Sequence, residues 1–125
     1  MTFQWADYLA LAEALWAQRA TFAPEEACCR ASISRAYYAV FCAARNVAVQ
    51  QGLPLTQTGV DHRRVPQHFQ QGPSREHQRL KLLLDRLRSR RSQADYDDGL
   101  PNAVAEAQIA IQDARDALQI LSTLP

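Results

Sequence analysis

Apolar positions along the chain recur at intervals of three and four residues, the period of an α-helix. Strict alternation of apolar and polar residues is absent and β-branched runs are few, so strands are not expected. Proline and glycine divide the pattern into segments. Trp5, Leu9, Ala12 and Trp16 repeat at helical spacing, which predicts a first helix over residues 2–21 with Thr2 as its N-cap. Pro24 followed by Glu25 and Glu26 predicts the start of a second helix, because a first-turn proline lacks only an N–H that would be unpaired anyway and acids suit the positive end of the dipole. Gly52 suits its end. Ile33, Tyr37, Val40, Phe41, Ala44 and Ala48 line one side of this second helix, and Tyr38, Cys42 and Val49 line another. A helix that is apolar on more than one side belongs at the centre of a bundle.

Residues 53–60, LPLTQTGV, read as a loop, and a short helix follows over residues 62–71 with its regularity limited by Pro66. After the break at QGPS, Ser74 suits the cap of a helix over residues 74–94. DYDDGLP reads as a turn, and Pro101 opens a last helix ending near residue 123, with Val104, Ala107, Ile111, Ala114, Leu118 and Leu121 as its core seam. The expected fold is all-α, an antiparallel up-and-down bundle of four main helices plus one short helix, built as a single domain over residues 1–125.

The length of 125 residues supports one core without disulfides or metals. With a net charge of +1 the chain is not globally basic, so contact with nucleic acid requires a local patch. Cys28, Cys29 and Cys42 all fall in the second helix, an odd number with no C-x-x-C and no paired histidine spacing; they read as small buried residues, and no metal or cofactor is expected. No signal peptide and no apolar run of about 18 residues occur, so no membrane span is expected and the cytoplasm is the default location. P-loop, dinucleotide-binding, hydrolase-elbow and zinc motifs are absent from the sequence.

The local patch lies on the fourth predicted helix. From Arg75 to Arg91 there are seven Lys or Arg and two acids, a local charge of +5. Leu80, Leu83, Leu84 and Leu87 form one stripe, with Arg75, Arg79, Arg86 and Arg90 in a row beside it. That row can contact phosphates, or it can be a solvated flank whose stems cover the bundle edge. Arg91 instead falls inside the leucine stripe. A guanidinium cannot lose its charge, so it needs a partner there, and Asp95 shares its face if the helix continues. Arg35 poses the same demand on the second helix, beside Tyr37 and Tyr38, whose hydroxyls can satisfy buried polar groups.

Three segments in order, SRAYYAVFCAARN (34–46), HRRVPQHF (62–69) and RSQADY (91–96), resemble HEPN domains. They resemble in particular the small prokaryotic branch with S-R-x-Y-Y-A-x-F and R-x-x-A-D-Y motifs. The resemblance covers roughly residues 8–122. It implies a compact helical bundle that commonly forms a homodimer, and a toxin–antitoxin or defence-linked role in contact with RNA or a nucleotide. Many members are metal-independent endoribonucleases, and many are paired with a small nucleotidyltransferase antitoxin. The ribonuclease members carry R-x(4–6)-H before the last helix, where the arginine binds phosphate and the histidine serves acid–base cleavage through the RNA 2′-hydroxyl. Here Arg91 is followed after four residues by Tyr96, so the motif is degenerate: tyrosine, with a pKa near 10, is a poor base at neutral pH. The candidates are Arg91, Asp95 and Tyr96 for chemistry, with Arg35, Tyr38 and His62 and, from the basic row, Arg86 and Arg90 for binding. Arg63-x4-His68 fits the same expression by count but lies before the basic helix and contains Pro66; His62 and His68 stay as outside candidates. The competing readings are a non-catalytic helical module that binds a nucleotidyltransferase or another protein, and an active ribonuclease.

Overall fold

The computed structural model describes residues 2–125. Among these residues it holds five helices and no strand: α1 (Asp7–Ala17), α2 (Glu25–Gln50), α3 (Asp61–Gln70), α4 (Arg75–Tyr96) and α5 (Ala103–Thr123). The all-α expectation is met. α1, α2, α4 and α5 close a ring of neighbours, with α2 and α5 also meeting across it, while α3 lies against α2 and α4. α2 therefore touches every other helix. Its buried residues point in several directions, from Cys28, Cys29 and Ile33 to Tyr37, Val40, Phe41 and Cys42, as its two-sided apolar pattern requires. The three cysteines are buried and unbridged. Fully buried alanines on α2 (Ala36, Ala39, Ala44, Ala48) and on α5 (Ala107, Ala110, Ala114, Ala117) allow close helix approach. Leu80, Leu83, Leu84 and Leu87 of α4 and Val65 and Phe69 of α3 complete the core.

Several boundaries differ from expectation. α1 is shorter, and Thr2 caps nothing: Phe3, Trp5 and Tyr8 cluster, with Phe3 and Trp5 ring centroids 4.9 Å apart, and the chain enters α1 through a turn closed by the Asp7 N–H to the Gln4 carbonyl at 2.9 Å. α1 ends at Ala17, and the turn that follows carries Ala20 in the left-handed region at φ +66°. α3 runs through Pro66, whose missing N–H leaves the His62 carbonyl without its helical donor. Pro101 precedes α5 rather than opening it, and Asn102, left-handed at φ +58°, stands at the N-cap. On α5, Ala110, Ala117 and Ile120 are buried where the seam placed Leu118 and Leu121, which are only partly covered. Ser74 does cap α4, and His77 returns the bond, the Ser74 N–H donating to His77 Nδ1 at 3.4 Å.

α4 continues past Ala94 to Tyr96, and the reason lies on α2. Arg30 Nη1 donates to the carbonyls of Ala94 at 2.9 Å and Asp97 at 2.7 Å, and Nη2 donates to that of Asp98 at 3.2 Å. Glu26 aligns the same guanidinium by accepting from Nε at 3.1 Å. A helix end leaves carbonyls without intrahelical donors, and Arg30 supplies them from a neighbouring helix. Arg30→Met should fray the last turn of α4 and cost about 1–3 kcal/mol. Urea unfolding reads the loss, and faster amide exchange confined to residues 94–98 locates it; unchanged exchange there would refute the role.

Candidate functional site

A stripe along α2, Arg30, Ser34, Tyr37, Tyr38 and Phe41, follows helical steps of three and four and meets the last turns of α4 and the start of α3. Arg91 enters this region from α4. Its side chain is only 12% accessible, and its Cζ lies 5.2 Å from the Tyr37 ring centroid and 5.7 Å from that of Tyr38. Those distances are within cation–π range. Asp95, one turn on, places Oδ2 3.7 Å from Arg91 Nη1. The Ser34 hydroxyl donates to the same Oδ2 at 3.4 Å and accepts from Arg35 Nη2 at 3.3 Å. Arg91 Nε is buried and has no hydrogen-bond acceptor among the described residues. Arg35 stacks between Tyr8 and Tyr38, its Cζ 4.8 Å and 5.2 Å from their centroids. Among the described residues neither Arg35 nor Arg88 has a carboxylate within 4.0 Å.

His62 joins from the first turn of α3. Its ring stacks on Phe41, centroids 4.3 Å apart and planes within 9°, and Nδ1 shares a hydrogen bond with the Tyr37 hydroxyl. The first turn is anchored by Asp61, whose carboxylate accepts from the Thr56 N–H at 3.0 Å, the Thr56 hydroxyl at 2.8 Å and the Gln57 N–H at 2.8 Å. The Thr56 N–H leads these bonds in holding the Asp61 carboxyl below its usual pKa. Burial lowers the His62 pKa below the usual 6.5, and the charges of Arg91 and Arg88 push the same way against Asp61. Burial raises the Tyr37 phenol above its usual 10, against the pull of Arg91. At neutral pH the phenol therefore keeps its proton and shares its bond with Nδ1 of an uncharged imidazole, the direction following the imidazole tautomer.

The structure thus brings together Arg91, Asp95, Arg35, Tyr38 and His62. Tyr96 is not among them. Five residues beyond Arg91 it has turned about 140° around the helix, and it is 74% exposed. Arg86 and Arg90 face α5 instead: Arg86 Nη2 lies 3.2 Å from Asp113 Oδ2, and Arg90 Nε lies 2.8 Å from Glu106 Oε2 with Nη1 3.6 Å from Asp113. Arg79 continues the ladder to Asp116 at 3.4 Å. The acids of α5 thus neutralise much of the basic row; burial raises the Asp113 pKa, while Arg86 and Arg90 oppose it. His68 meets Gln51 Oε1 at 2.7 Å and Arg63 is exposed, so the second R-x4-H match is not drawn into the cluster. Sequence reasoning missed Arg30, Ser34, Tyr8 and Arg88. The spacing of Arg30, Ser34 and Tyr38, each four residues apart, was a usable signal for the first two.

Among the described residues no three His, Cys, Asp or Glu side chains assemble as a metal cluster. A groove of about 620 Å³ between α1 and α5, lined by Glu13, Trp16, Ile109 and Arg115 among others, shares no residue with the arginine–aromatic cluster. Comparison of the chain with protein-family profiles, curated proteins and solved structures yields no match.

Because the folded state holds His62 less basic than the unfolded chain does, unfolding takes up a proton as pH falls through 6.5. The stabilisation is present above that pH and declines below it. Thermal melts should show the midpoint falling between about pH 7 and pH 5, with a flatter profile for His62→Gln. An NMR titration of the imidazole should place its pKa below 6.5; a value at or above that would overturn the assignment.

Proposed function

We propose that this chain is a HEPN-like domain, a toxin–antitoxin or defence-linked component of the cytoplasm, that contacts the phosphates of RNA or a nucleotide through Arg91 and Arg35. The observation that carries this reading is the imbalance of the cluster. Arg91 and Arg35 both lie over Tyr38, the one carboxylate paired with either among the described residues is Asp95, 3.7 Å from Arg91, and the buried Arg91 Nε still lacks an acceptor. Aromatic faces beside such charges suit a ligand with both phosphate and base. The ion pairs of Arg86 and Arg90 with α5 direct the proposal away from the basic row and towards the cluster. Under the same reading the working unit is a homodimer or a pair with a small nucleotidyltransferase.

Arg91→Leu tests this against the alternative of a non-catalytic partner module in which Arg91 is structural. Replacing a partly buried charge by an apolar residue should leave stability equal or higher. Binding of a labelled single-stranded RNA or of adenosine monophosphate at low salt should fall by tenfold or more (about 1.4 kcal/mol). Arg86→Leu should change affinity by less than about threefold. Retained affinity in a folded Arg91→Leu protein would favour the partner module.

One observation supports the further reading of an active metal-independent endoribonuclease. His62 supplies, from α3, an uncharged imidazole next to the Tyr37 ring over which Arg91 also lies, whereas Tyr96 offers none. RNA cleavage in EDTA should then be lost in both His62→Ala and Arg91→Ala but kept in Tyr96→Phe. Cleavage that survives His62→Ala, or no cleavage by the parent protein, removes this reading.

A further inference from the structure

Asp95 is held loosely. Arg91–Asp95 stands at 3.7 Å, against 2.6 Å for Lys81–Asp85 on the same helix, and in the range of Arg90–Asp113 at 3.6 Å and Arg19–Glu25 at 3.9 Å. The second contact of Asp95, from the Ser34 hydroxyl, is also long at 3.4 Å. One carboxylate oxygen, Oδ2, serves both donors. Ser34 in turn takes its bond from Arg35 at 3.3 Å, so the hydroxyl links the second guanidinium to the carboxylate that Arg91 meets directly.

The two sides of the pair differ in freedom. The Asp95 side chain is 29% accessible and can turn into water within its helix turn. Arg91, at 12%, cannot leave without breaking its packing on Tyr37 and Tyr38. Counting formal charges, Arg35 and Arg91 against Asp95 leave +1, so the cluster with its own carboxylate in place remains attractive to an anion. A phosphoryl group carries more oxygens than a carboxylate and can accept from Arg91 and Arg35 together.

We infer that the Asp95 carboxylate occupies the phosphate subsite of this cluster as an internal stand-in, and that a phosphate-bearing ligand binds by displacing it. The inference rests on the reading of the cluster as a phosphate site. It makes Asp95 a competitor of the ligand rather than a ligand-binding or proton-transferring residue. Asparagine at position 95 keeps the shape and can still accept from Ser34, but removes the competing charge.

The full chain and its Asp95→Asn variant are titrated with labelled single-stranded RNA, adenosine monophosphate and inorganic phosphate at low salt. Asp98→Asn serves as the control for loss of one surface charge nearby. Asp95→Asn should bind at least about fivefold more tightly than the parent, while Asp98→Asn shifts affinity by less than about twofold. Equal tightening for all three probes assigns the subsite to the phosphate alone; tightening for RNA only assigns it to a backbone phosphate. If the parent binds through Arg91 and Asp95→Asn binds equally, more weakly, or no better than Asp98→Asn, displacement is refuted and the phosphate site stands. If neither parent nor Asp95→Asn binds any probe, both fall.

Discussion

Every other helix of the bundle packs on α2, and what the protein can do depends on how its faces are divided. Most of the surface of α2 is apolar and builds the core. One stripe, from Arg30 to Phe41, is mixed, and it meets the only arginine of α4 that lies on the leucine side. The size of the forces there matters. Removing a charged group from water costs several kcal/mol even after relaxation, and a cation–π contact returns about 0.5–2 kcal/mol. Two tyrosine rings and a carboxylate at 3.7 Å do not offset that cost in full. Residual access to water covers part of the difference, and the rest appears as an unmet demand for a negative group.

The basic side of α4 shows how little a charge count says by itself. Seven cations against two acids over residues 75–91 look like a nucleic-acid surface. Across the groove α5 presents Glu106, Asp113 and Asp116 to three of those arginines, and Asp113 is buried between two of them. The field outside the protein is set by the charges left over. Arg35, on a different helix and with no carboxylate partner among the described residues, belongs to that remainder; Arg86 and Arg90 do not.

Helical periodicity made most of the bundle legible: the two-sided α2, the leucine stripe, the Ser74 cap and the place of Arg91 on the apolar face all followed from spacing and residue type. The ends were less legible. Whether α4 reached Asp95 depended on Arg30, more than sixty residues earlier, and local propensity carries no trace of a cap donated across the bundle. The same limit applied to His62. Its neighbours in sequence suggest a capping or packing residue, whereas its place beside Tyr37 and Phe41 comes from α3 lying against α2 and from Asp61 fixing the first turn. Tyr96 is 74% exposed and stands five helical steps, about 140°, round α4 from Arg91.

Arg30 grips the end of α4 by main-chain carbonyls alone. A clamp of that kind is indifferent to the side chains it passes over. Positions 95, 96 and 98 can therefore change identity without releasing the helix terminus, so the residue that meets Arg91 can be exchanged while the scaffold holding Arg91 stays the same. The molecule thus separates the part that sets geometry from the part that sets chemistry, and the second is open to revision one residue at a time.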